Sequence, residues 1–187
     1  MEPLLFFATG LVLASGVIWL RCRYGSFSGQ RPSDYAEGFD ELDIRRTLDG
    51  KMICEGVIFG PFGRMTSSFT ADFDMRWQGR RGVLREDFLY DDRSRQNREW
   101  AIELGDSGHF TATAPDVLGK ARGEQCGPAL RLCYAIRLPP EQGGHVLHTV
   151  DWLYLTPAGT LVNRSQFRKY GIKVAELVAT IRPKDDI

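Results

Sequence analysis

The sequence has no surplus of either charge. Its 24 Lys and Arg residues balance 24 Asp and Glu, a formal net charge of +0. That balance removes the basic field that broad nucleic-acid binding needs. Cysteine is scarce, with four among 187 residues, too few for a disulfide-stapled scaffold. Cys54, Cys126 and Cys133 have no metal-ligand spacing. If Cys126 and Cys133 share a strand, they stand ~23 Å apart and cannot bond. There are three histidines. His145 and His148 are spaced to face opposite sides of a strand, which argues against a shared metal. No phosphate loop, dinucleotide fingerprint, Gly-x-Ser-x-Gly elbow or His-Glu-x-x-His helix occurs. No catalytic residue, metal ligand or cofactor is therefore assigned, and an enzyme is the least supported reading. The adjacent carboxylates Glu86-Asp87 and Asp91-Asp92 read as solvated acids, the first pair on opposite strand faces and the second at a turn.

What is present begins with one long apolar run. Leu4 to Leu20 is uncharged, and its only polar side chains are Thr9 and Ser15. As a helix it spans roughly 25 Å, slightly short of a ~30 Å hydrocarbon core. Trp19 suits the interfacial belt, and Arg21 and Arg23 suit the headgroups. A buried core helix is the alternative, but such helices are seldom apolar on every face. A cleaved signal is another, since Ala14-Ser15-Gly16 offers small residues. Cutting there strands Val17-Ile18-Trp19-Leu20 at the new terminus, which favours a retained anchor over 1–23. Cys22 is preceded by Arg21, unlike a lipoprotein signal, and reads as a plain thiol or an S-acylation site. Arg21, Arg23 and Arg31 all follow the helix, so the positive-inside rule favours a cytoplasmic domain.

Residues 24–38 are rich in Gly and Ser with few aliphatics, the composition of a linker. From 39 to 187 the chain reads as one domain. Phe39, Leu42, Ile44 and Leu48, ended by Gly50, predict one or two helical turns. Then a period of two takes over. Phe69, Ala71, Phe73, Met75 and Trp77 alternate with polar neighbours. Leu84, Glu86, Phe88 and Tyr90 form one face of the next run. Trp100, Ile102 and Leu104 follow, then Phe110, Ala112 and Ala114, then Leu130, Leu132, Tyr134, Ile136 and Leu138. Short Gly- and Pro-bearing turns separate these runs, which favours antiparallel neighbours. About nine or ten strands between Lys51 and Arg182 tend to curl closed. The predicted fold is therefore mainly β: an antiparallel calycin- or lipocalin-like barrel, or a strongly bent sheet, behind one transmembrane helix.

The alternation breaks at Asp116–Gly123, where Gly119 and Gly123 suggest a bulge or a close backbone approach. Asp116, Asp151, Arg164 and Arg168 recur in segments otherwise built for a barrel. They make a candidate ligand-binding network, with Arg164 beside Asp116 or Asp151 as a cation for an anionic head group. The alternative is separate surface ion pairs.

Several motifs occur in order: Asp87-Phe-Leu-Tyr-Asp-Asp92, Arg98-Glu-Trp100, Thr113 to Gly123, Asp151-Trp-Leu-Tyr154, and Asn163 to Glu176. Together they resemble the bacterial family known as domain of unknown function 3833, over about Phe39 to Arg182. The resemblance implies a bacterial envelope protein without established activity. It also implies a periplasmic setting, because many members look like lipoproteins, and a link to lipids, because members occur beside lipid-modifying enzymes. The first strand lacks a lipocalin Gly-x-Trp, having Gly56-Val57-Ile58. The leading expectation is a barrel tethered to the inner membrane that binds an apolar or amphiphilic ligand. The alternative is a structural or interaction protein with a solid core. An apolar interior of roughly 300–1,000 Å³ separates the two.

Overall fold

Alternation makes each strand two-faced. In β2 (Met65–Gln78), Phe69, Ala71, Phe73 and Met75 are buried, while Thr70, Asp72 and Arg76 are exposed. Each of the remaining strands contributes its own inward row. The structure, a computed structural model, describes residues 2–37 and 41–184. The other strands are β1 (Gly50–Phe59), β3 (Arg81–Tyr90), β4 (Arg95–Leu104), β5 (His109–Thr113), β6 (Ala121–Cys126), β7 (Ala129–Arg137), β8 (Val146–Leu155), β9 (Leu161–Lys169) and β10 (Ile172–Pro183). Each pairs antiparallel with its sequence neighbours, and β1 pairs with β10 to close a ten-stranded barrel. Closure removes both sheet edges, which settles the choice between a barrel and a bent sheet.

The two ends differ. At one end a short helix, α2 (Ile44–Thr47), closes the barrel. The Asp43 side chain caps it by accepting from the Arg45 backbone N–H at 2.9 Å. Leu42, Ile44 and Leu48 are all buried in the core. The Leu42 N–H donates to the Gly127 carbonyl at 2.9 Å, and Trp77 Nε1 donates to the Leu48 carbonyl at 2.7 Å. The predicted helical turn is thus one turn long and serves as a plug. The β1–β2, β3–β4, β5–β6, β7–β8 and β9–β10 connections form the opposite end, called the rim below. Phe39, placed by its spacing at the start of the plug, lies outside the described residues, as does the side chain of Cys22.

Residues 24–37, read from the sequence as part of a linker, pack against the barrel. Two 3-10 turns, Phe27–Gly29 and Pro32–Tyr35, lie against the outer wall. Phe27 is buried with Ala129 and Trp152, and the Tyr35 ring lies 5.4 Å from that of Trp152. Gln30 Oε1 accepts from the Tyr154 hydroxyl at 2.7 Å. A Cβ on Gly127 would stand 2.1 Å from the Tyr35 carbonyl oxygen, so only glycine admits this contact. A few anchoring rings among Gly and Ser suffice to make a strap. Before it runs α1 (Glu2–Tyr24), exposed and apolar along Pro3–Arg21. That stretch is long and apolar enough to cross a membrane, and is a candidate anchor or signal sequence.

Candidate functional site

The barrel interior holds a cavity of about 160 Å³. Towards the plug its lining is apolar, with Leu84, Ile102, Phe110, Leu130, Leu153 and Ile181. Gly123 belongs to the same layer: a Cβ there would stand 2.0 Å from the Phe110 ring, the close approach its place in a strand predicts.

Midway along the barrel the lining turns polar. Glu86, Arg98, Trp100, Tyr134 and Asp151 converge from β3, β4, β7 and β8. Glu86 is buried and accepts from Trp100 Nε1 at 3.3 Å. It is therefore not the solvated acid its composition suggested. Its strand alternation with Leu84, Phe88 and Tyr90 points it inward, and that periodicity prevails over polarity. Burial pushes its pKa up to about 7, with Asp151 and Asp116 adding to the rise. The Arg98 charge and the Trp100 hydrogen bond pull the other way.

Asp151 accepts from the Tyr134 hydroxyl at 2.8 Å. The Ser165 hydroxyl lies close enough to hold its pKa down, but its hydrogen bond goes to Asn163 Oδ1 at 3.2 Å. Asp151 Oδ1 is buried, and among the described residues the only donor near it is this one hydroxyl, which Asn163 also claims. Burial is the largest effect and raises the Asp151 pKa. Burial, with the Asp151 charge beside it, also drives the Tyr134 hydroxyl well above its ordinary pKa. Two buried acids thus face one cavity with few donors between them, an arrangement that costs stability unless something completes it.

Among the described residues the single cation lining this belt pairs with a different carboxylate. Arg98 stands opposite Glu86 in the β3–β4 ladder, but its guanidinium makes a two-pronged ion pair with Asp116. It also lies 4.9 Å from the Trp100 ring. This pair spans a seam. β5 pairs only with Ala101–Leu104 of β4. The β5–β6 connection bonds instead to β7, through Leu118 N–H to the Ala135 carbonyl and Arg137 N–H to the Asp116 carbonyl, each at 2.8 Å. Among the described residues no backbone hydrogen bond joins the rim half of β4 to that connection. Arg98 and Asp116 join them by side chains.

The four residues proposed from sequence do not assemble. Asp151 lines the interior belt, and Asp116 reaches it through its ion pair with Arg98. Arg164 and Arg168 lie on the outer face of β9, whose inward residues Asn163, Ser165 and Phe167 line the cavity. Arg164 pairs with Glu176 at 2.7 Å and stands 5.1 Å from the Phe27 ring. Arg168 donates to Gln166 Oε1 and to the Gly171 carbonyl. The expected contact of Arg164 with Asp116 or Asp151 is thus replaced by separate pairs, because one residue of strand separates Ser165, opposite Asp151, from Arg164. Glu86, Arg98 and Tyr134 were missed. Their signal was an inward register shared with Leu84, Trp100 and Leu132.

Among the described residues Cys54, Cys126 and Cys133 are free; Cys54 is buried, and burial raises its thiol to about 12. Cys126 and Cys133 lie on neighbouring strands, opposite Ala129 and Arg122 respectively.

No curated protein matches the chain. Among solved structures it is similar to a redesigned β-barrel, mFAP1, bound to DFHBI. The identity is 9% over 73% of this chain and 95% of that one, with a TM-score of 0.40. It is also similar to a de novo designed fluorescence-activating β-barrel, at 12% identity over 76% of this chain and 99% of that one, with a TM-score of 0.35. The likeness is of fold alone. A family model matches residues 22–183, a stretch that takes in the strap as well as the barrel, and the chain belongs to the family described as Protein of unknown function (DUF3833).

Proposed function

We propose that the protein is a membrane-tethered barrel of the bacterial envelope that takes up a small apolar or amphiphilic molecule, lipid-like in character. The observation that carries this reading is Asp151 Oδ1, buried at an apolar-lined cavity with no donor to itself. A barrel built only to be packed gains nothing from burying Glu86 and Asp151 with so few partners. A molecule with an apolar body and a donating polar end completes both halves of the cavity. The apolar body meets the leucines and Phe110, and the donors meet the acids. The α1 helix supplies the tether as a single inner-membrane span.

One observation favours the alternative of a packed structural or interaction module. The cavity, about 160 Å³, is below the roughly 300–1,000 Å³ of ordinary ligand pockets. It matches the ~150 Å³ that admits a benzene-sized guest. The ligand of this state is therefore small, or is one end of a longer molecule entering by the seam. Native mass spectrometry of the detergent-extracted full-length protein tests the reading. A co-purifying small lipid or amphiphile is expected. Bare protein mass, with no melting shift from a panel of short-chain amines, alcohols and acids, leaves the packed module standing.

A further inference from the structure

We infer that the rim docks onto the lipid surface of the membrane that α1 enters, through the β1–β2 and β9–β10 tips. This rests on the anchor in the reading above and adds a second, independent contact with the bilayer.

The exposed apolar side chains of the barrel are not scattered. Phe62 is 93% exposed, Tyr170 90%, Ile172 70% and Met65 58%, while no other large hydrophobic residue of the barrel exceeds 43%. These four occupy two tips. The tips are neighbours, because β1 and β10 pair with Phe59 opposite Glu176. An apolar patch of this kind marks a contact surface rather than a chance exposure.

The backbone adds a second, separate observation. Tyr170 and Gly171 form the β9–β10 turn with φ of 52° and 79°. Two successive positive φ values suit Asn-Gly or Gly-Gly. A tyrosine there is unusual and costs the turn stability. Its ring is 90% exposed and stands beside Lys169, whose Nζ is 5.6 Å from the ring centre. The fold does not need this ring, so its use lies outside the fold.

The chemistry around the tips matches a bilayer interface. Tyr and Phe suit the headgroup–acyl boundary. Arg64 sits between Phe62 and Met65 and Lys169 flanks the second tip, while Lys173 pairs with Glu176 at 2.6 Å. Basic residues at that depth meet anionic headgroups.

The chain that leaves α1 joins the barrel on the wall that also carries the β9–β10 tip. Three residues after α1 ends at Tyr24, Phe27 packs with Ala129 and Trp152 and against Arg164, on the β7–β9 wall. The strap then runs to Tyr35 beside Gly127 and on to the plug. The β9–β10 tip continues the same wall.

The test uses the full-length protein in nanodiscs of mixed zwitterionic and anionic phospholipid. A phospholipid with a diazirine near its headgroup is photolysed, and adducts are mapped by mass spectrometry. Adducts are expected on residues 62–65 and 170–172 as well as on α1. In the variant F62S/M65S/Y170N/I172S, tip labelling should fall at least tenfold with α1 labelling unchanged. All four positions are exposed, and an unchanged circular dichroism spectrum reports that the barrel stays folded. Labelling confined to α1 in the wild type overturns the docking and leaves the anchor intact. Labelling of neither α1 nor the tips overturns the anchor, and the docking with it.

Discussion

The two ends of the barrel are made by the same ten strands, yet they are finished in opposite ways. At the plugged end the chain brings its own cover, Leu42, Ile44 and Leu48, and the tips there are small or polar, such as Gly79-Arg80 and Pro157-Ala158-Gly159. At the rim the four apolar tip residues stay uncovered, and the wall between β4 and the β5–β6 connection is joined by an ion pair. The plugged end obeys the rules that stabilise a fold. The rim breaks them with exposed aromatics, a strained tyrosine and an interrupted ladder. Departures of that kind mark contact and access rather than stability.

Truncating the plug should show the difference most strongly. Leu42 is 2% exposed, and Leu42→Ala should cost ~2–5 kcal/mol through lost burial and a cavity. Phe62→Ala at the rim should change stability by less than about 0.5 kcal/mol. Urea unfolding of both variants checks this. Equal losses would mean that the ends are not energetically distinct.

The polar belt between the ends should carry the next largest effect, and it depends on pH. Folding raises the Glu86 pKa from 4.5 to about 7. The folded state then binds the proton more tightly than the unfolded chain. Stability is fullest below about pH 4.5, falls as pH rises through the window to 7, and stays reduced above it. At about 1.4 kcal/mol per pH unit, the loss is about 3 kcal/mol. Glutamine cannot ionise, so Glu86→Gln should flatten this slope. Stability of wild type and variant at pH 5 and pH 8 is the measurement. Parallel slopes would place Glu86 in water after all.

This belt also shows where sequence reading stops. The strands were legible because each inward row repeats within ten residues or so, from Phe69 to Trp77 or from Leu130 to Leu138. Glu86 and Tyr134 were on those rows. Their meeting was not legible, because β3 and β7 are brought across the barrel only by closure. Arg164 misled because β9 offers a weak pattern: Asn163 and Ser165 are polar but face inward, so polarity alone could not tell its faces apart. The strap misled for a compositional reason. Phe27, Pro32 and Tyr35 are a minority among Gly, Ser and charged residues, and a few docked rings do not alter an average.

A smaller effect is expected at the seam. Asp116→Asn removes the charge that Arg98 faces and leaves a half-buried guanidinium with a weaker acceptor. The cost should be ~1–2 kcal/mol, in the range of hydrogen bonds to charged groups. Its location matters more than its size. Amide exchange should quicken in residues 114–120 while the β1 amides, held by full ladders on both sides, stay protected. Uniform quickening would show that the pair supports the whole barrel rather than a local closure.

The smallest effect has the opposite sign. Tyr170 holds a φ of 52° in a two-residue turn and is 90% exposed. Asparagine is at ease in that conformation, so Tyr170→Asn should stabilise the protein by ~0.5–1 kcal/mol. At the plug, by contrast, losing a large side chain lowers stability. If the ring serves a surface outside the fold, the variant gains stability and loses lipid contact together, and no core substitution combines those two changes. Thermal unfolding in nanodiscs and in bilayer-free micelles separates them. The gain should be clear in micelles and smaller in nanodiscs, where wild type recovers what the ring contributes at the bilayer. A loss of stability in both settings would mean that the ring, with Lys169 beside it, holds the hairpin together and that the rim is part of the fold.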